Sequence, residues 1–181
     1  NAEQYYRKII KIKNKEIHAN SMLARIYVDQ VDIKKAESHC LTARKLRCTD
    51  IENEFVYMRI LFHQQKYNLV LDLYINLKNN VFSSANAKAA KLCAARSFMQ
   101  AGDYKQSLLL FDDLPSEPMF RYYKACALAA SSQYEQALKE FDLKSGDHDY
   151  LALSFLQAGH VWLKLENDKK ADEHYPKALQ L

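Results

Sequence analysis

The stretch "QAGDYKQSLLLF", residues 100–111, puts one of the chain's three glycines, Gly102, next to Asp103 and just before Tyr104. The small Ser107 follows three positions after Tyr104, and Phe111 comes four after that. Gly102 and Asp103 read as a turn, because glycine adopts positive φ without strain, and the apolar spacing beyond them reads as the start of a helix. With only three glycines and three prolines in 181 residues, such punctuation is scarce. Whether the arrangement recurs therefore decides the fold.

It recurs. Aligning a small residue four before an aromatic or bulky one gives Ala2/Tyr6, Ala36/Cys40, Val70/Tyr74, Ser107/Phe111, Ala137/Phe141 and Ala171/Tyr175, at spacings of 34, 34, 37, 30 and 34. Ile33, Tyr67, Tyr104 and Tyr134 stand three before the small position, and Asp168 takes that place in the last unit. Twelve residues upstream of each small position from Ala36 onward lies a second one, at Ala24, Met58, Ala95, Ala125 and Gly159. Each of these is followed three residues later by Tyr27, Leu61, Phe98, Leu128 or Trp162. The unit is thus two amphipathic helices joined by a short polar turn, and helices this short bury their apolar faces only by stacking on neighbours.

Composition agrees. The chain is 49% hydrophobic and 27% charged, enough to bury a core, and it has no glycine-rich phosphate loop and too few turn residues for many short strands. Cys40, Cys48, Cys93 and Cys126 form no C-x-x-C pair or metal-ligand spacing, which suits a reducing, cytoplasmic setting. No apolar run is long enough for a membrane span, so no membrane insertion is expected, and a targeting segment outside the sequence stays open. The net charge of +4 is uneven. Residues 1–50 carry 11 Lys/Arg against 6 Asp/Glu, the rest 15 against 16. The basic N-terminal quarter reads as the solvated face of lysine-rich helices rather than a nucleic-acid patch.

The 34-residue period, with "MLARIY" (22–27) and "FLQAGHVW" (155–162) in first helices and "SSQYEQALKEF" (131–141) and "KKADEHYPKAL" (169–179) in second helices, resembles the tetratricopeptide repeat family. The resemblance covers essentially the whole chain. It implies an all-α fold, a right-handed superhelical α-solenoid of about five stacked antiparallel helix pairs. The expected boundaries are 1–16 for the second helix of an incomplete repeat, then 17–50, 51–84, 88–117, 118–151 and 152–181. Starting and stopping on second helices, the sequence reads as a segment of a longer array.

Departures from the pattern carry expectations of their own. Met58 and Val70 replace small residues, so their helices should pack less closely. The 37-residue spacing points to an extended link around "NNVFSSANA" (79–87), and Pro115 and Pro118 should end a helix and stiffen the next connection. Pro176 should kink or end its helix.

In the family, first helices line a concave groove, and the resemblance implies that the residue after each small position faces inward: Arg25, Arg59, Arg96, Cys126 and His160. Residues four before and three after these share their face, giving Ser21/Val28, Phe55/Phe62, Leu92/Met99, Tyr122/Ala129 and Leu156/Leu163. The expected partner-binding groove comprises Arg25, Arg59, Arg96, Phe55, Phe62, Tyr122 and His160. A ladder of guanidinium groups between apolar walls suits a protein or peptide partner with acidic and apolar residues. In the competing reading, each arginine covers apolar surface with its stem or pairs with a neighbour such as Glu54. The family's clamp for chaperone C-termini is not matched, since its places hold Ser21, Arg25, Val56, Ala89 and Cys93, or one repeat along Phe55, Arg59, Cys93, Met119 and Tyr123.

No catalytic residue, metal site or cofactor is expected. His39 beside Cys40 is not a thiol and base pair, because adjacent helical side chains diverge by about 100° and Cys40 holds a core position. Asp147, His148 and Asp149 read as a helix-capping turn with Asp149 as the N-cap. The expected function is that of a non-catalytic scaffold or adaptor. The alternatives are a helical-repeat RNA binder, disfavoured by the apolar rungs, and a self-associating structural subunit.

Overall fold

The computed structural model describes residues 2–12, 16–46, 51–77, 84–143 and 148–180. Among these the regular elements are eleven helices, with no strand. They are α1 (Ala2–Ile12), α2 (Ile17–Asp29), α3 (Ile33–Lys45), α4 (Ile51–His63), α5 (Tyr67–Leu77), α6 (Ser84–Gln100), α7 (Tyr104–Asp112), α8 (Pro118–Ala130), α9 (Tyr134–Phe141), α10 (His148–Lys164) and α11 (Asp168–Leu179). They divide into two compact units, residues 1–97 and 98–181, with the division falling inside α6.

Both units repeat one packing rule. In the first, α2 lies against α3 and against α4, and α3 also lies against α4. In the second, α8 lies against α9 and α10, and α9 against α10. Within each unit first helices thus form one layer and second helices the other, with α3 wedged onto α4 and α9 onto α10.

What fixes each pair is the crossing of its two small positions. Ala24 and Ala36 are both completely buried in the cluster of Leu23, Tyr27, Val28, Cys40, Val56 and Ile60. Ala125 and Ala137 are likewise buried, among Tyr122, Leu128, Phe141, Ala158 and Val161. Cys40 is therefore a core residue, as its register requires. Met58 and Val70 are equally buried, against Phe55, Leu61 and Ala90. With these larger side chains between them, α4 and α5 meet less extensively than α2 and α3.

All five turns within pairs share one geometry. Gly102 has φ +82°, and the same place holds Val31 (φ 59°), Gln65 (φ 58°), Ser132 (φ 63°) and Glu166 (φ 55°). The amide after each donates back to the bulky residue that follows the small position: Asp32 to Tyr27 O, Lys66 to Leu61 O, Asp103 to Phe98 O, Gln133 to Leu128 O and Asn167 to Trp162 O, at 2.9–3.0 Å. The left-handed residue's own amide donates three back, which completes a Schellman close of the first helix. Asp32, Asp103 and Asn167 then cap the second helix by accepting from the amides of Lys35, Gln106 and Lys170.

Four expectations are corrected. Pro118 does not end a helix but opens α8 at its first position, where a missing N–H costs nothing. The link expected over 79–87 is helical from Ser84, and residues 79–83 lie outside the described residues. Asp149 sits within the first turn of α10 instead of capping it, a place where its charge complements the helix dipole; Asp147 lies outside the described residues. Helix α11 does not end at Pro176 but runs to Leu179. Pro176 and Asp172 are both exposed, so the carbonyl left without a donor faces water.

Helix α1 is tied to the first unit through the Tyr27 hydroxyl. It accepts from Arg7 Nε and Nη2 at 2.9 and 2.7 Å and donates to Glu3 Oε1 at 3.1 Å. On the other side His39 stacks on the Tyr27 ring, with centroids 5.6 Å apart, and its Nδ1 lies 2.9 Å from Asn20 Oδ1. Burial first, and then the nearby Arg7 charge, hold the His39 imidazole below its ordinary value.

Two predictions follow from these contacts. A β-branched residue in the left-handed region carries about 1–2 kcal/mol of strain, so Val31→Gly should raise stability, by about 0.5–1 kcal/mol after glycine's own entropic cost. Gly102→Ala, whose Cβ would meet no atom within 4 Å, should lower it through backbone strain alone; chemical denaturation of both variants checks the pair. Because the folded state resists protonating His39, stability is full above the unfolded value near 6.5 and is lost as pH falls through the lower folded value. His39→Gln should flatten this loss in urea midpoints compared at pH 7.5 and 5, and an unchanged slope would refute it.

Candidate functional site

Where α2 and α4 run side by side in the first unit, they enclose a cleft of about 180 Å³. Its apolar lining is Met22, Phe55 and Val56; its charged lining is Arg25, Asp29 and Arg59; and its rim is His18, Ser21, Glu52 and Asn86. Three of the seven expected groove residues, Arg25, Arg59 and Phe55, are therefore brought together here. Helical phase explains it. Arg25 and Asp29 are one turn apart on α2, while Phe55 and Arg59 are one turn apart on α4.

The two arginines differ in their commitments. Arg59 Nη1 donates to Asp29 Oδ1 at 2.8 Å, and its guanidinium carbon lies 6.0 Å from the Phe55 ring centre. Glu54, considered earlier as an arginine's neighbour, instead holds Arg44 at 2.6 Å, and Arg44 also covers Tyr57 at 4.2 Å. Arg25 is exposed and makes no hydrogen bond or ion pair among the described residues. Half-exposed pairs such as Arg59–Asp29 are worth only ~0.2–1 kcal/mol. An incoming carboxylate can therefore compete for Arg59 at little cost.

Arg96 stands deeper along the first unit, its guanidinium 4.6 Å above the Phe62 ring. Both arginines act on two titratable neighbours. The Cys93 thiol is pushed up to about 11 by burial, against the opposing pull of Arg96 and Arg59. His63 is held below its ordinary value by burial, then by Arg59 and Arg96. Cys93 is thus an inert thiol and His63 a neutral ring at pH 7.

The remaining two expected residues lie in the second unit. Tyr122 is 9% exposed and its ring is enclosed by Tyr123, Phe141 and Tyr150, with centroids 5.1–6.1 Å away. It is chiefly a core aromatic. His160 is exposed beside Tyr175, at 5.7 Å. Val28, placed on the inward face by spacing, is 1% exposed and belongs to the core.

Sequence reasoning missed His18, Met22, Asp29, Glu52 and Asn86. A signal was present for some of them. Asn86 donates to Glu52 one full 34-residue period earlier, and Asp29 lies 30 residues before Arg59. Complementary polar types separated by about one repeat mark neighbouring first helices. Among the described residues, no group of three or more His, Cys, Asp or Glu could hold a metal ion, and no helix is long and apolar enough to cross a membrane.

No family model and no curated protein matches the sequence. Among solved structures, the chain is similar to YrrB, described as "a TPR protein with an unusual peptide-binding site", with a TM-score of 0.66 and 16% identity over 97% of this chain and 91% of that one. The likeness is one of fold. The chain has the all-α solenoid architecture of tetratricopeptide-like helical repeats.

If both guanidinium groups act on His63, the double variant Arg59→Gln/Arg96→Gln should move its titration upward while burial keeps it below 6.5. An NMR titration of the imidazole reads this directly, and an unmoved midpoint would contradict the placement of both arginines.

Proposed function

We propose that the chain is a non-catalytic scaffold that binds a partner protein through a peptide laid against α2 and α4. The observation that carries this reading is the uncommitted Arg25 guanidinium on the wall of a cleft lined by Met22, Phe55 and Val56. A carboxylate on the peptide pairs with Arg25 and competes with Asp29 for Arg59, while adjacent apolar side chains bury against Met22 and the exposed edge of Phe55. Arg96 and Phe62 extend the same chemistry along the first unit. Similarity to a protein described with a peptide-binding site supports the class of ligand.

Chaperone-tail capture has no support here, since Val56, one of the clamp's places, is buried in the cleft wall. The RNA alternative predicts a different result in the same experiment. Selection from a random peptide display library should enrich sequences with Asp or Glu beside aliphatic residues. Arg25→Glu should weaken the selected peptides by about tenfold or more, with an unchanged melting temperature because the side chain is exposed. Selected peptides free of acidic residues, or equal affinity in the variant, would sink the proposal. Tight, salt-steep binding of single-stranded RNA in place of peptides would favour the alternative.

A further inference from the structure

Three rings wall a hollow of about 290 Å³ in the second unit, between α9, α10 and α11. They are Phe155 and Trp162 of α10 and His174 of α11, with Leu138, Phe141 and Glu173 also in the lining. The His174 ring centre lies 6.2 Å from that of Phe155 and 6.5 Å from that of Trp162, tilted 57° and 49° to them. Its Nδ1 donates to the Lys170 carbonyl oxygen at 2.7 Å, which fixes the direction of the ring.

One repeat earlier the hollow has a counterpart of about 190 Å³, lined from α7, α8, α9 and the loop between α7 and α8. There Phe111 takes the place of Phe141, Arg121 of Phe155, Lys124 of Ala158 and Glu140 of His174. Although α10 and α11 follow that counterpart in the chain, none of their residues lines it. A hollow of this kind is therefore not closed by the next helix pair.

The equivalent places show what belongs in it. Lys124 Nζ reaches Asp112 at 2.9 Å and Glu140 at 3.1 Å. In the first unit Glu54 and Tyr57 hold the registers of Phe155 and Ala158, and the Arg44 guanidinium of α3 sits on both. Each place carries a cation. In the later hollow the Lys124 register is the methyl of Ala158, and the rings draw ammonium groups from α11 instead: Lys170 Nζ lies 4.0 Å from the Trp162 ring centre and Lys177 Nζ 5.8 Å from that of Phe155. Both lysines are exposed, so each keeps its water and yields its ring face to a cation that sheds water more readily.

We infer that this hollow binds a quaternary ammonium group. The replaced walls choose the cation. A primary ammonium has three donors to satisfy, and the place of the Glu140 carboxylate is now an imidazole. Methyl groups on nitrogen need no acceptor, and their spread charge suits ring faces. Glu173, exposed at the margin and without a hydrogen bond or ion pair among the described residues, adds the opposite charge. The hollow lies in a different unit from the α2–α4 cleft and does not rest on the reading given to it.

Trp162 is the chain's single tryptophan, so its indole N–H resonance reads the hollow directly in an NMR titration. Choline should move it saturably, and the uncharged analogue with tert-butyl in place of trimethylammonium should bind about tenfold more weakly. Phe155→Ala should weaken choline severalfold. Lys170→Gln removes an exposed competitor without touching the core, so it should tighten choline severalfold and decides the matter if Phe155→Ala does not fold. A peptide carrying trimethyllysine identifies the source: tighter binding than choline assigns a methylated protein, weaker binding a free or lipid-borne headgroup. An unmoved indole signal, equal binding of choline and its uncharged analogue, or unchanged affinity in Lys170→Gln overturns the inference.

Discussion

Two helices can approach only as closely as the largest side chain between them allows, and this chain spends its smallest residues on that contact. Ala24 with Ala36, Ala125 with Ala137, and Gly159 with Ala171 stand twelve apart in sequence and are fully or almost fully removed from solvent. The spacing of twelve leaves room for one more turn of the first helix, a reversal, and one turn of the second. Everything else in the repeat accommodates that approach. The bulky residue three after the first small position supplies the carbonyl that closes the turn, and the residue four after the second, Cys40 or Phe141, is buried in the cluster around the crossing. At the last pair there is no room even for a methyl: one on Gly159 would lie 2.6 Å from the Tyr175 ring.

This is why the architecture could be read from the sequence while the site could not. Period, small positions and bulky partners are local statements about residues whose burial is complete, and substitution there has few solutions. The turn was only half visible. Gly102 announced a left-handed residue, yet Val31, Gln65, Ser132 and Glu166 adopt the same conformation with no glycine to mark it. There the tertiary contact overrides the intrinsic preference, because the Schellman hydrogen bonds and the packing of two helices outweigh the strain at one exposed residue. Proline misled for a related reason. Pro118 looks like a stop from upstream and a start from downstream, and periodicity alone does not choose between them.

The groove residues were placed by phase, and phase does not measure depth. Tyr122 and Val28 fall on the inferred face yet are buried, because α4 also lies against α2 and α10 against α8. Phe55 is buried as well, with only an edge left on the cleft. Charge partners were harder still. That Arg59 chooses Asp29 while Glu54 goes to Arg44 depends on which helices adjoin and on side-chain reach, and both exchanges cross between helices. An interval of about one repeat marks the Arg59–Asp29 pair, whereas Arg44 and Glu54 stand only ten residues apart.

The electrostatics of the first unit divide accordingly into groups with structural employment and groups without. Arg7 is held by Tyr27 and Glu3, and Arg44 by Glu54 over Tyr57; moving either would loosen a helix contact. Arg59 spends one donor on a carboxylate that is itself more than half exposed, so its field is reduced but its remaining donors stay available. Arg25 spends none among the described residues. A guanidinium that contributes nothing to its own fold, one helix away from a second whose partner is weakly held, is an arrangement stability does not require. The stacked helices supply a rigid spacing between the two, and a ligand that bridges them gains from that spacing without having to order the protein first.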